Sequence, residues 1–145
     1  MFISVFEIHV QELPAFYQRE EEFRFVYVTP ENLDGSKTNT QAVMCARYSD
    51  EEYRRDRLNG SEEEYHRKYG RWGIDKIWRD DIFPCRVYLR HCVLASQKQG
   101  EDVYNNFLDH TFLGDRKTTV RQWLEQNPSI MTELPPPHLI DRYSG

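Results

Sequence analysis

The sequence predicts an α+β domain: a small mixed or antiparallel sheet with helices packed on it. Three observations carry this. Residues 2–10 and 23–28 are rich in β-branched and aromatic side chains, the composition of strands. Two Ser-acidic sequences, Ser49-Asp50-Glu51-Glu52 and Ser61-Glu62-Glu63-Glu64, fit the capping box that opens a helix. Residues 84–99 and 101–112 carry apolar side chains at helical spacing, with glycine after each.

In chain order, residues 2–10 read as a first strand, with Phe2, Phe6, Ile8 and Val10 on one face at period two. Pro14 suits the first turn of a short helix, where a missing N–H is harmless, and that turn directs Leu13, Phe16 and Tyr17 inward. Residues 23–28 form a second strand, closed by Pro30 and the turn residues Asn32, Asp34 and Gly35. Residues 41–47 form a third, apolar on both faces and therefore expected to be buried. The two capped helices end at Gly60 and Gly70, and their bodies are so charged that only a narrow aromatic edge is left for a core. Trp72, Ile74, Ile77 and Trp78 are spaced for one side of a further turn. A core helix follows over 84–99, with Val87, Tyr88, His91, Leu94 and Ala95 as its apolar stripe. A second spans 101–112, with Val103, Tyr104, Phe107, Leu108 and Phe112 inward, and a short third carries Val120, Trp123 and Leu124 up to Pro128. This organisation is a single domain over 1–127, with a charged helical insertion at about 49–80 and an extended proline-containing tail over 128–145.

Composition narrows the function. A chain of 145 residues with 14% aromatic side chains is long enough to build a core, although the mean hydropathy of -0.81 calls for very polar helix surfaces. The net charge of -5 offers no field for phosphates, so nucleic acid and anionic membranes are not expected as partners. No run approaches the roughly 20 apolar residues of a membrane span. The start of the chain lacks the pattern of a signal peptide, and the odd set of Cys45, Cys85 and Cys92 fits free thiols in a reducing compartment, so a cytoplasmic location is expected. No glycine pattern cradles a nucleotide, and Glu7, His9 and Glu12 lack further ligands at a recognised spacing. Neither an organic cofactor nor a metal is expected.

The residues Val5-Phe6-Glu7-Ile8, Glu12-Leu13-Pro14-Ala15, Arg19-Glu20 and the strand beginning at Phe23 resemble the middle of the γ-glutamylcyclotransferase-like (AIG2-like) superfamily. In that family a strand, a short helix and an Arg-Glu or Glu-Gly pair precede a strand that begins with an aromatic. The likeness continues through Ala42-Val43-Met44 and then Pro84, Tyr88-Leu89-Arg90, Ala95, Gly100, Tyr104 and Phe107-Leu108. It covers roughly two thirds of the chain, in short motifs rather than one long one. It implies a partial-barrel sheet, Glu20 as catalytic acid/base, and Arg19 and Tyr17 as substrate-binding neighbours. It also implies the reaction: the α-amine of a γ-glutamyl small molecule attacks its own γ-carbonyl, releasing 5-oxoproline and the attached amine. The family's opening strand and Tyr-Gly-Thr/Ser-Leu substrate loop have no counterpart, because Tyr69-Gly70 lies far downstream and leads into Arg71-Trp72. Turnover by this chain alone is therefore expected to be weak or nil.

Each candidate has a plainer reading. Glu20-Glu21-Glu22 is the kind of run that usually forms a solvated face. His91 and Cys92 are neighbours about 100° apart on a helix, poorly placed to activate each other. The alternative to an enzyme is a non-catalytic protein-interaction module that uses the Trp72–Trp78 region or the proline tail. An incomplete sheet leaves an open edge beside residues 2–10, so a homodimer pairing through that segment is also expected.

Overall fold

The fold is α+β in a computed structural model that describes residues 2–145. Its elements are α1 (Leu13–Arg19), β1 (Phe23–Val28), β2 (Ala42–Arg47), α2 (Asp50–Leu58), α3 (Glu62–Lys68), α4 (Arg86–Gln97), α5 (Glu101–His110) and α6 (Val120–Gln126). The chain groups into two compact units, Ser4–Trp78 and Arg79–Gly145, with residues 2–3 joined to the second. The grouping divides residues 1–127, which the sequence suggested as one domain, at Trp78.

In the first unit, β1 and β2 pair antiparallel with Phe25 opposite Cys45 and Tyr27 opposite Val43. The sheet is two-stranded. Residues 2–9 are not a strand but irregular and exposed, ending in a 3-10 turn at Val10–Glu12. The reason is physical: alternation selects the face of a strand, but a strand exists only when its amides join a ladder, and none is offered to residues 2–9. For the same reason β2 is not buried on both faces, and Val43 (55%) and Met44 (41%) remain exposed. A two-stranded sheet is marginal by itself. Here α1 supports it through Phe16 and Tyr17, whose rings lie 5.6 and 5.2 Å from that of Phe25. Phe23 meets Trp78 edge-on at 5.2 Å.

The core of this unit comes from the charged helices. Ser49 caps α2 by accepting from Glu52 N–H at 3.2 Å, while Glu52 accepts from Ser49 N–H at 2.8 Å. Ser61 caps α3 by accepting from Glu64 N–H at 3.1 Å. Asn59 and Gly60, at φ 51 and 72°, end α2 in the left-handed region that glycine and asparagine tolerate. The narrow aromatic edge is the core itself: Tyr53, Leu58 and Tyr65 are buried together, with Tyr48, Tyr69 and Ile77 against them. Trp72 and Ile74 instead stay exposed, because Gly70–Trp72 forms only a 3-10 turn.

In the second unit, α4, α5 and α6 enclose Leu89, Val93, Leu108, Leu113, Val120 and Ile130. The buried stripe of α4 is Leu89, Val93 and Ser96 rather than the one centred on Tyr88. Both stripes have helical spacing, and the face toward α5 decides between them, leaving Tyr88 52% exposed. Phe112 is also exposed rather than inward, since α5 ends before it. The tail is only partly extended. Pro128–Thr132 and Pro137–Leu139 are 3-10 turns, and Ile130 is fully buried.

Candidate functional site

Glu20 stands where α1 hands over to β1. Its N–H donates to the Phe16 carbonyl at 3.0 Å and its carbonyl accepts from Phe23 N–H at 3.0 Å, so the backbone of the junction is fixed on both sides. The three consecutive glutamates have different surroundings. Lys68 Nζ donates to the Glu21 carboxylate, and Arg57 Nε donates to the Glu21 carbonyl at 3.0 Å. Tyr69 Oη donates to Glu22 Oε1 at 2.8 Å and also lies 2.9 Å from Tyr53 Oη. Among the described residues the Glu20 carboxylate has no hydrogen-bond or ion-pair partner, and the residue is half-buried. A carboxylate in that position is free to accept or return a proton to a bound molecule.

Its surroundings set the local electrostatics. Cys45, on β2, is close enough to feel Glu20: burial first, and the Glu20 charge second, raise its thiol pKa. A thiol so placed is not an activated nucleophile. Burial, aided by the hydrogen bonds with Tyr53 and Glu22, pushes the Tyr69 phenol far above the ordinary tyrosine range. Burial lowers Lys68 and Arg57. Glu21 and Glu22 are thus structural, joining the start of β1 to α3.

The other two candidate residues flank this junction differently. Tyr17 is packed between Phe25 and Arg57, whose guanidinium carbon sits 4.0 Å from the Tyr17 ring centroid. Arg19 is exposed, with its guanidinium carbon 6.0 Å from the Phe16 ring. Arg19 and Glu20 thus put a cationic and an anionic residue next to each other in sequence at the junction.

A concavity lies elsewhere in this unit, and Glu20 does not line it. That cavity, of about 730 Å³, is lined by Asp50, Glu51, Arg54, Arg55, Asn59, Gly60, Glu62, Asp75 and Lys76. Several of its charges are engaged with one another: Arg54 donates to Glu62 at 3.1 Å and to the Asp75 carbonyl at 3.1 Å, and Asp50 accepts from Ile77 N–H at 2.6 Å. Among the described residues, Arg54 Nε and Tyr65 Oη are buried without a hydrogen-bond partner, the guanidinium carbon 3.8 Å from the Tyr65 ring centroid.

No group of three or more His, Cys, Asp or Glu side chains suited to a metal occurs among the described residues. Cys45, Cys85 and Cys92 are free thiols. No described helix is long and apolar enough to cross a membrane. Reading the sequence singled out Glu20, Arg19 and Tyr17 but missed Cys45 and the Glu22–Tyr69–Tyr53 chain. The aromatic edge of α2 and α3 was the available signal for the latter; nothing local announced the former. Compared with protein-family models, with curated proteins and with solved structures, the chain finds no match.

Proposed function

We propose that this is a γ-glutamylcyclotransferase-like protein in which Glu20 acts as the acid/base of an intramolecular aminolysis. One observation carries the reading. Of three adjacent glutamates, two are tied to α3 and its end, and the third, at the helix-to-strand junction where the resemblance puts the acid/base, has a carboxylate with no hydrogen-bond or ion-pair partner among the described residues.

The chemistry follows from the substrate class. The α-amine of a γ-glutamyl group is an ammonium at neutral pH and must lose a proton before it attacks the γ-carbonyl. The amine that leaves must gain one. A single carboxylate can serve both steps, a contribution of typically about 10²–10⁴-fold. The nucleophile and the carbonyl belong to one molecule, so effective concentration is already high and the pairing of acid/base with oxyanion donors sets the rate. In this reading Arg19 attracts the substrate carboxylate and Tyr17 forms part of the wall. The partial-barrel sheet of the family belongs to the same proposal, as does a reducing, cytoplasmic setting for the three thiols. Release of 5-oxoproline by the wild-type chain and by Glu20→Gln is the test.

A second reading, a protein-interaction module, is favoured by a separate observation. Phe6 and Val10 are 71% and 76% exposed, and Tyr27 and Val43, register partners across β1 and β2, are 79% and 55% exposed. Each strand of the pair also has an open edge. In this reading the occupant is a second copy: residues 2–10 of each chain supply the alternating apolar strand and β1–β2 of the other supplies the edge, an exchange that closes under two-fold symmetry.

A further inference from the structure

We propose that Asn59-Gly60, where α2 ends, is a site of self-modification: an intramolecular deamidation that the folded helix cap holds off and that opening of the α2–α3 joint admits. Asn59-Gly60 is the one Asn-Gly pair of the chain, and every other asparagine precedes a bulkier residue or proline. That neighbour matters because the backbone nitrogen after an asparagine can attack its side-chain amide, and glycine, with no Cβ, leaves the approach open. Asn59, Gly60 and Ser61 are exposed, so solvent base and water reach the pair. The fold restrains the nucleophile instead. Gly60 N–H donates to the Arg54 carbonyl at 2.8 Å, and Ser61 N–H donates to the Leu58 carbonyl at 2.9 Å. Asn59 is held between them in the left-handed region, at φ 51° and ψ 32°. An amide that shares its proton with a carbonyl keeps that proton and is not turned towards a second carbonyl, so the reaction waits on the bond to Arg54.

The step needs water and no other reactant. When the Gly60 bond opens, its nitrogen loses a proton to solvent and bonds to the Asn59 side-chain carbonyl carbon, and the amide nitrogen takes up a proton and leaves as ammonia. The five-membered imide then adds water at either carbonyl, giving aspartate or isoaspartate at position 59. Either product replaces a neutral amide by a carboxylate in the concavity already lined by Glu51, Glu62 and Asp75. Isoaspartate does more, because its main chain runs through the former side-chain carbon and gains a methylene. The bonds from Gly60 to Arg54 and from Ser61 to Leu58 then lose their register. Those bonds shape the turn that joins α2 to α3, and Tyr53 and Leu58 of α2 share a core with Tyr65 of α3. One opening of this joint is thereby recorded in the covalent structure.

The test follows the full chain in mildly alkaline buffer, folded and in guanidinium chloride, with peptide mapping by mass spectrometry that separates asparagine, imide, aspartate and isoaspartate at position 59. In denaturant Asn59 is expected to react ahead of every other asparagine. In the folded chain it is expected to react at least about tenfold more slowly, because only transient opening exposes the nitrogen. Hydrogen exchange at the Gly60 amide is expected to be slowed by a similar factor, since one bond gates both reactions. Gly60→Ala, compared in denaturant where its effect on folding does not enter, is expected to suppress the reaction. The purified isoaspartyl chain is expected to unfold at a lower urea concentration than the parent. Equal rates in the folded and denatured chain, a freely exchanging Gly60 amide, a faster asparagine elsewhere, an undiminished rate in Gly60→Ala, or an isoaspartyl chain with the parent midpoint overturns the proposal.

Discussion

Tyr69 donates its phenolic proton to the Glu22 carboxylate across 2.8 Å, tying the residue just past α3 to the residue just before β1. The bond is charge-assisted and partly buried, and Tyr53 Oη shares it from within the core. Tyr69→Phe is expected to lower stability by about 1–3 kcal/mol, read as a shift in the urea midpoint. The folded state raises the Tyr69 pKa, so its contribution is complete below the unfolded tyrosine value of about 10 and is lost as pH rises above it. The wild-type midpoint should fall on going above about pH 10, and Tyr69→Phe should flatten part of that fall. An unchanged midpoint in the variant would place Tyr69 outside the network.

Cys45 reports on Glu20. Burial and the Glu20 charge both raise the thiol pKa, and only the second is removed in Glu20→Gln. Alkylation by iodoacetamide at fixed pH should be slower at Cys45 than at exposed Cys85, and Glu20→Gln should speed Cys45 alone. Equal rates in both proteins would separate the two residues.

The core prediction follows from the stripe that α4 buries. Val93 and Leu108 are 0% and 3% exposed and Tyr88 is 52% exposed. Leu108→Ala should cost about 2–5 kcal/mol, whereas Tyr88→Ala should cost well under that. Thermal or urea midpoints distinguish the two, and a larger loss at Tyr88 would rotate α4 relative to this account.

Much of this architecture can be read from local chemistry. Pro14, the Ser49 and Ser61 boxes, and Gly60 and Gly100 mark helix ends through their own backbone needs, and the helices start and stop at or next to them. Phe23–Val28 and Ala42–Arg47 likewise carry their strand character in side-chain type. Residues 2–10 carry the same character without forming a strand, because pairing is a property of the neighbour and not of the segment. The choice between Tyr88 and Leu89 as the inward residue of α4 has the same origin, since only contact with α5 separates two equally periodic faces. At the candidate site, Glu20 and Arg19 were marked out only by a resemblance of short motifs. Cys45 was not, because it reaches Glu20 only through the β1–β2 pairing.

Self-association should depend on the exposed apolar segment. Analytical ultracentrifugation across a concentration series should show a dimer whose population falls when Phe6 and Val10 are both replaced by Glu, since their side chains are open to solvent in the single chain. A monomer at all concentrations, or a dimer indifferent to the double change, removes strand exchange through residues 2–10.

The claim at the centre is that the Glu20 carboxylate moves the proton. Wild-type chain and Glu20→Gln are incubated with γ-glutamyl amino acids, glutathione and γ-glutamylamines, and 5-oxoproline is quantified by mass spectrometry. Slow release by the wild type is expected, because the substrate loop of the family has no counterpart in the sequence, with a further fall of about 10²-fold or more in Glu20→Gln. Release that survives Glu20→Gln contradicts the assignment of Glu20.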